Sequence, residues 1–275
     1  MIFVLGARGR LGSAVAASSE LGDTVALDRS IYTHWTREGA AGDVARYFEK
    51  AVSKKAAGYV FVATGITDPS RSQEEHHSVN YVLARNVVEG AHECGLRILT
   101  FGTVMETIAG ERSENPYFRS KVRLGDFVGE FAAKYGDALH VRMHTLFGGR
   151  PPEDFMFLGQ MRNAITRGVR FEMSDGLQLR EYHHVDDEVK AIAKFIQSNA
   201  RGVVELSHGS SFRLRDLAIY VFQAFDCPDN LNVGAMPTSR HENFDFVFPR
   251  SRLLGEFQFR DTFPAVVEYL RTCNT

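Results

Sequence analysis

Short apolar runs and amphipathic stretches alternate through the first half of the chain. Ile2-Phe3-Val4-Leu5, Thr24-Val25-Ala26-Leu27, Tyr59-Val60-Phe61-Val62-Ala63, Arg97 to Phe101 and Leu139 to Met143 are compact apolar segments bounded by turn residues, and they predict strands. Between them, apolar residues recur at helical spacing. Leu11, Val15, Ala16 and Leu21 form one such stripe, and Val44, Tyr47, Phe48, Ala51 and Val52 form another within about 43–55. Val79, Val82, Leu83, Asn86, Val87 and Ala91 mark the inner face of a helix over 74–94; Leu124, Phe127, Val128, Phe131 and Tyr135 do the same over 116–135. Continuous apolar strands separated by helices predict an α/β fold, a doubly wound parallel sheet with helices on both faces. After Thr145 to Pro152 the rhythm breaks. The pattern then predicts helices over 153–167, from Asp186, over 212–225 and over 264–271, with strands near 169–171, 178–182 and 203–206. The 227–259 stretch reads as loops and short strands. A first domain over 1–147, with 183–200 packing back on it, and a smaller part from 148–182 and 201–275 follow from this division.

The first strand runs directly into Gly6-Ala7-Arg8-Gly9-Arg10-Leu11-Gly12 and then a helix. Strand, glycine turn and helix in that order suit a dinucleotide. Gly6 permits a sharp turn, Gly9 a close backbone approach to pyrophosphate, and Gly12 close helix–strand packing. The helix start adds free N–H groups and a positive dipole end. Asp28, about 20 residues on, suits ribose hydroxyls and hence NAD; Arg29 beside it, with Arg8 in the loop, suits the extra phosphate of NADP. The third strand ends in Ala63-Thr64-Gly65-Ile66-Thr67, a small glycine-containing turn where a doubly wound sheet holds its ligand. Later in the chain, Asn115 and Pro116 form a good helix start, and Tyr117 and Lys121 stand one turn apart on one face of that helix. A nearby ammonium favours the phenolate and is expected to lower the tyrosine pKa, making a useful proton donor.

Composition narrows the field. The 275 residues are 24% charged and 44% hydrophobic with a net charge of -2, which leaves no basic stripe for nucleic acid or a membrane surface. No apolar run approaches a membrane span. Cys94, Cys227 and Cys273 have no paired spacing, so a reduced, cytoplasmic setting is expected. His183-His184 with Asp186-Asp187 has metal-ligand residue types, but a strand end followed by helix-capping aspartates explains it, and no metal is expected. His144, just after a strand, is a weaker site candidate.

Together these pieces resemble the extended short-chain dehydrogenase/reductase family, the branch acting on nucleotide-activated sugars. The spacing of Gly6, Gly9 and Gly12 is similar to that family's glycine turn. Gly42-Asp43-Val44 resembles its adenine-side motif, which brings in Asp43 and Val44; Asn80 resembles its helix-borne asparagine below the active site. Asn115 to Lys121 resembles the catalytic Tyr-x-x-x-Lys with its flanks, and Asp175-Gly176 with Arg180 to Asp187 resembles the element holding the nucleotide diphosphate. The resemblance covers roughly 1–210. It implies a Rossmann-type fold with a smaller C-terminal substrate-binding part and a catalytic set of Thr103, Tyr117 and Lys121. It also implies Thr145 beside the nicotinamide, Thr67, Thr103 and Arg180 on substrate, and a homodimer through 74–94 and 116–135.

The expected activity is NAD(P)-dependent oxidoreduction of a nucleotide-linked sugar, foremost as a 4-ketoreductase. A C4 epimerase with tightly held NAD is the alternative, and a non-catalytic NAD(P)-binding sensor or scaffold the rival from another class. The chain departs from the family at Gly102-Thr103, where a Ser-Ser or Ser-Thr pair is usual. It also has Val104-Met105 where the 4,6-dehydratase branch carries Asp-Glu, so elimination of water is set aside; Glu106 comes one residue too late, unless a shifted turn brings it into the role.

Overall fold

The computed structural model describes residues 1–52, 58–68, 70–109, 113–238 and 242–273. In chain order the elements begin β1 (Ile2–Leu5), α1 (Arg10–Ala17), β2 (Thr24–Ala26), α2 (Arg29–Tyr32), α3 (Ala41–Ala51) and β3 (Tyr59–Val62). Then come α4 (Gln73–His76), a π-helical turn (His77–Val82), α5 (Leu83–Glu93), β4 (Arg97–Thr103), α6 (Glu106–Ala109), α7 (Pro116–Tyr135) and β5 (Ala138–Met143). The remainder holds β6 (Thr145–Phe147), α8 (Phe157–Arg167), β7 (Phe171–Met173), β8 (Leu179–Arg180), β9 (Tyr182–His184), α9 (Val185–Gln197) and β10 (Gly202–Leu206). It closes with β11 (Phe212–Arg213), α10 (Leu214–Ala224), β12 (Leu231–Val233) and α11 (Thr262–Thr272). The chain divides into two compact units, Met1–Met143 with Val189–Leu206, and His144–Glu188 with Ser207–Thr275.

The first unit is built on a six-stranded sheet in the order β2-β1-β3-β4-β5-β10, every pairing parallel. β1, β3 and β4 bury nearly every side chain, which is why they read as unbroken apolar runs rather than alternating ones. The strand order reverses between β1 and β3, so the loops at their carboxyl ends flank a crevice of the kind that receives ligands. Phe3, Leu5, Trp35, Val44, Phe48, Val87, Val88, Ile98 and Val128 belong to one core cluster. α3 lies against α5 so closely that a Cβ on Gly90 would stand 2.3 Å from the Ala41 carbonyl oxygen. The strand read as 203–206, assigned by pattern to the second part, instead pairs with β5 and extends this sheet.

α7 starts and stops where its sequence dictates. Asn115 Oδ1 accepts from Tyr117 N at 2.9 Å, Pro116 occupies the first turn, and Gly136 ends the helix at φ 77°. The α3 pattern extends past the helix because Val52 turns extended, and Ser53 to Lys55 lie outside the described residues. The long helix expected over 74–94 is interrupted by the π turn, whose effect appears at Asn80 below.

In the second unit the strands form three two-stranded pairs: β6 with β9, β7 with β12, and antiparallel β8 with β11. The boundary expected at 147 falls inside this unit because β6 finds its partner in β9. Phe147, Met161, Phe171, Tyr182, Leu217, Phe222, Val266 and Leu270 form its core. Between Cys227 and Phe259 the described structure is two 3₁₀ turns and β12, anchored by the buried Phe248. The capping role expected of Asp187 is not what it does: its carboxylate takes a bidentate pair from Arg260 at 2.8 Å, on Nε and Nη2.

Candidate active site

The glycine turn leaves the carboxyl end of β1 as the sequence requires. Gly6 has φ +82°, and a Cβ there would stand 2.7 Å from the Ala63 backbone at the end of β3. A Cβ on Gly12 would meet the Gly6 carbonyl oxygen at 2.1 Å. Gly9 N donates to that same carbonyl at 2.8 Å, and Gly6 N donates to Tyr32 Oη at 3.3 Å. Leu11 is buried beneath the turn, while Ala7 and Arg10 are half-buried and Arg8 reaches outward to Asp28 at 3.4 Å. Asp28 also caps α2, accepting from Ser30 N at 2.9 Å, and these hydrogen bonds and the Arg8 charge hold its pKa below the usual carboxylate range. Arg29 opens α2 on the exposed side. A backbone cradle that tolerates no side chain at Gly6 or Gly12 fits a pyrophosphate. So does the Thr64 hydroxyl, buried and without a partner among the described residues at the end of β3. Gly12→Ala is expected to abolish dinucleotide binding and to lower the melting temperature, since backbone must move to admit the methyl group. Isothermal titration with NADH and NADPH, and a thermal melt, measure both.

Asp43 and Val44 sit in the first turn of α3. Val44 is core, and Asp43 forms ion pairs with Arg37 and Arg46. Asn80, in the π turn, is 1% exposed and ties three segments together. Its Oδ1 accepts from Ile66 N at 2.7 Å, and its Nδ2 donates to the Ile66 carbonyl at 3.0 Å and to Ser120 Oγ at 3.1 Å. The loop after β3 is thereby fixed against α7. Gly65 is packed between Asn80 Oδ1 and Lys121 Nζ, 3.5 and 3.6 Å from an added Cβ; Thr67 lies exposed beyond it.

Lys121 is buried, and its Nζ donates to the Phe101 carbonyl of β4 at 2.7 Å. Burial lowers its pKa to about 8 against the opposing pull of Glu106. Tyr117 is half-buried one turn earlier, its ring 6.3 Å from that of His76. Here the structure corrects the sequence expectation: the phenol pKa is pushed well above its ordinary value, not lowered. Loss of solvent is the main cause and the Glu106 carboxylate the second; the Lys121 ammonium is committed to a main-chain carbonyl. Between pH 8 and 10.5 the folded chain therefore holds fewer protons on Lys121 than the unfolded chain, so this group's penalty is full below pH 8 and is relieved as pH rises to 10.5. Lys121→Met is expected to exceed the wild type in stability by a margin that shrinks over that interval. Urea denaturation at successive pH values checks it, and a flat margin contradicts it.

Thr103 ends β4, its hydroxyl accepting from Met105 N at 3.3 Å. Beneath it lies a buried cluster around Glu106, whose partners His140 and Arg142 the sequence reading does not single out. Glu106, 3% exposed, accepts from Thr103 N at 2.7 Å and from Arg142 Nε at 2.9 Å, and stands 3.2 Å from His140 Nε2. His140 Nδ1 is 2.7 Å from Thr100 Oγ1. The hydrogen bonds and positive charge around Glu106 hold its carboxyl low in spite of burial. This cluster explains Gly102: a Cβ there would meet Glu106 Oε1 at 2.0 Å and His140 Nε2 at 2.2 Å, so the usual serine has no room. Glu106 is engaged inside the cluster by Thr103, Arg142 and His140. The signal was available, since His140 and Arg142 alternate on a strand that otherwise reads as apolar.

In the second unit, Arg180 pairs β8 to β11, donates to its neighbour's Leu179 carbonyl at 2.8 Å and forms an ion pair with Glu242. Thr145 opens β6, and its N–H donates to the Glu181 carbonyl at 3.3 Å.

A family model described as the NAD dependent epimerase/dehydratase family matches residues 2–206. The chain belongs to this family of NAD-dependent enzymes. The match takes in the glycine cradle, the Tyr117–Lys121 helix and the Arg180 segment, and stops short of the tail. Solved structures share the fold over nearly the full length. The dTDP-4-dehydrorhamnose reductase of Bacillus anthracis in complex with NADP has TM-score 0.76 at 18% identity, covering 98% of each chain. The UDP-glucose 4-epimerase of Thermus thermophilus in complex with NAD gives 0.77 at 16%, over 99% of this chain and 98% of that one. A dTDP-glucose 4,6-dehydratase of Streptomyces venezuelae gives 0.76 at 16%, over 98% and 95%. No curated protein matches the chain at a significant level. Among the described residues no helix is long and apolar enough to cross a membrane.

Proposed function

We propose that the chain is an NAD(P)-dependent oxidoreductase of a nucleotide-linked sugar, and that it reduces a ketone, at C4, on that sugar. One observation carries the reading. At the carboxyl ends of β1, β3 and β4, Asn80, Lys121 and Glu106 join the glycine cradle's neighbour segment to Thr103 and to the helix bearing Tyr117. Gly6, Ala7, Gly9 and Gly12 would hold the dinucleotide phosphates, with Arg8, Arg10, Leu11, Ala63, Thr64 and Gly65 around them. Asp28 would take the adenosine ribose, or Arg8 and Arg29 a 2′-phosphate. Bound there, the nicotinamide supplies or accepts a hydride. Lys121 would hold its ribose and Thr103 would orient the substrate oxygen, which converts an encounter into a fixed geometry. Tyr117 would give its proton to that oxygen.

Burial pushes the Tyr117 phenol up, so it is protonated at neutral pH, the form that ketone reduction consumes. The epimerase alternative uses the same residues and is told apart from reduction by whether cofactor is consumed. The structural relatives named above span reductase, epimerase and dehydratase, so they do not choose among them. Assignment of the second unit with Arg180 to the substrate side, and of Thr145 to the nicotinamide, belongs to the same proposal. So does a homodimer, which size-exclusion chromatography with light scattering checks.

A thermal-shift screen of NAD(H) and NADP(H), each paired with different nucleoside diphosphates, tests the binding half, because a ligand of the native state raises its melting temperature. A larger shift for a pair than for either ligand is expected. Cofactor binding with no turnover across keto-sugar nucleotides would instead favour a sensor or scaffold.

A further inference from the structure

Outside that site, the second unit gathers three histidines and a carboxylate from segments far apart in sequence. His144 precedes β6, Glu181 and His183 flank Tyr182 of β9, and His208 follows β10. The Glu181 and His183 side chains are fully buried, and His144 and His208 are 5% and 11% exposed. Ligand atoms of Glu181, His183 and His208 lie within 4.8 Å of one another. Around Glu181 Oε2, His183 Nε2 stands at 3.1 Å, His208 Nδ1 at 3.4 Å and His144 Nε2 at 3.6 Å. His144 Nε2 is buried with no hydrogen-bond partner among the described residues.

We propose that Glu181, His183, His208 and His144 form a binding site for one zinc-class divalent cation, with a structural rather than catalytic role. The three separations around Glu181 Oε2 suit a tetrahedral set, and His144 adds a fourth donor beside the grouped Glu181, His183 and His208. With bonds of about 2.0–2.2 Å, neighbouring ligand atoms stand roughly 3.3–3.6 Å apart, close to the three separations around Glu181 Oε2. Three imidazoles and one carboxylate suit zinc, with cobalt(II) and nickel(II) as mimics.

The surroundings have the form of an outer shell. Glu188 Oε2 holds His183 Nδ1 at 2.7 Å, which turns Nε2 toward the cluster. Ser207 Oγ donates to Glu181 Oε1 at 2.8 Å, and Oε2, which accepts from His208 N at 3.0 Å, faces the histidine rings. Phe248 packs on His144, and Phe259 on His183 and His208, each with ring centres 4.6–5.5 Å apart. The cost of binding the ion is the hydrogen bond between His183 Nε2 and Glu181 Oε2 at 3.1 Å and, at the rim, that from Ser210 N to His208 Nδ1 at 3.1 Å. The ion would fasten the segment before β6, β9 and the loop after β10.

The test uses the whole chain, stripped with a chelator, dialysed, and offered zinc chloride alone in competition with a chromogenic chelator. One zinc per chain and a raised melting temperature are expected. Affinity should fall at least tenfold in His208→Asn, which sits at the rim and leaves the core packing in place, and in His144→Ala. Glu188→Gln should weaken binding about 10–100-fold through His183. Cobalt(II) should give the intense visible bands of a tetrahedral site, lost in His208→Asn. Less than a tenth of a zinc per chain at micromolar free zinc, or zinc held equally well by both histidine variants, would overturn the proposal. Either result leaves the oxidoreductase reading untouched, because cofactor binding is read separately.

Discussion

Tyr117→Phe is expected to cut turnover on a keto-sugar nucleotide by about 10²–10⁴-fold while leaving NAD(P) affinity within a factor of two or so of the wild type. The substitution removes one oxygen and keeps the ring that packs against His76 and Phe118. The fold around α7 should therefore persist, since Asn115 and Pro116 start the helix independently of the phenol. What is lost is the proton that neutralises the charge developing on the substrate oxygen. The loss should fall on kcat and kcat/KM alike, the signature of an interaction made chiefly in the transition state. Steady-state kinetics alongside cofactor titration give both quantities. Near-normal turnover would remove Tyr117 from the reaction.

Glu106→Ala is expected to destabilise the chain by about 3–5 kcal/mol, the usual consequence of removing one partner from a buried charge network. Its carboxylate answers Arg142, His140 and the Thr103 N–H together, so three groups lose a partner at once. The alanine also leaves a cavity under Gly102 and Gly125, whose bare backbones exist to admit the carboxylate. Glu106→Gln keeps the volume and one acceptor, and should recover part of the stability but not the ion pair. Because Glu106 acts on Thr103 through the backbone, turnover per folded molecule should also fall. Urea denaturation of the three forms measures the first effect. A loss below about 1 kcal/mol for the alanine variant would show the cluster to be incidental.

Much of the first unit is legible in sequence because its signals are local. A strand buried on both faces must read as an apolar run, a glycine turn must precede α1, and Asn115-Pro116 must open α7. Strand order adds only that β10 returns to the sheet, a long-range pairing with β5 that no local pattern announces. The π turn that carries Asn80 is likewise hidden, since its apolar spacing differs little from that of an ordinary helix. Electrostatics were the least legible part. Tyr117 and Lys121 share a helix face, and on spacing alone the cation should acidify the phenol. The Phe101 carbonyl takes the ammonium and Glu106 supplies the opposing charge, and both come from other elements. The histidines of the second unit illustrate the same limit. His183 has a plausible local partner in His184, but its contacts are Glu181, Glu188 and His208, the last brought from 25 residues away.

The most direct test of the central reading follows one atom. The enzyme is given a 4-keto-sugar nucleotide with nicotinamide cofactor deuterated at the transferring position, and the product is examined by NMR and mass spectrometry. One deuterium per product molecule at the former ketone carbon, with one cofactor oxidised for each and both lost in Tyr117→Phe, is the predicted result. Conversion of a hydroxy-sugar nucleotide into its C4 epimer, with no label incorporated and no net cofactor consumed, would contradict it.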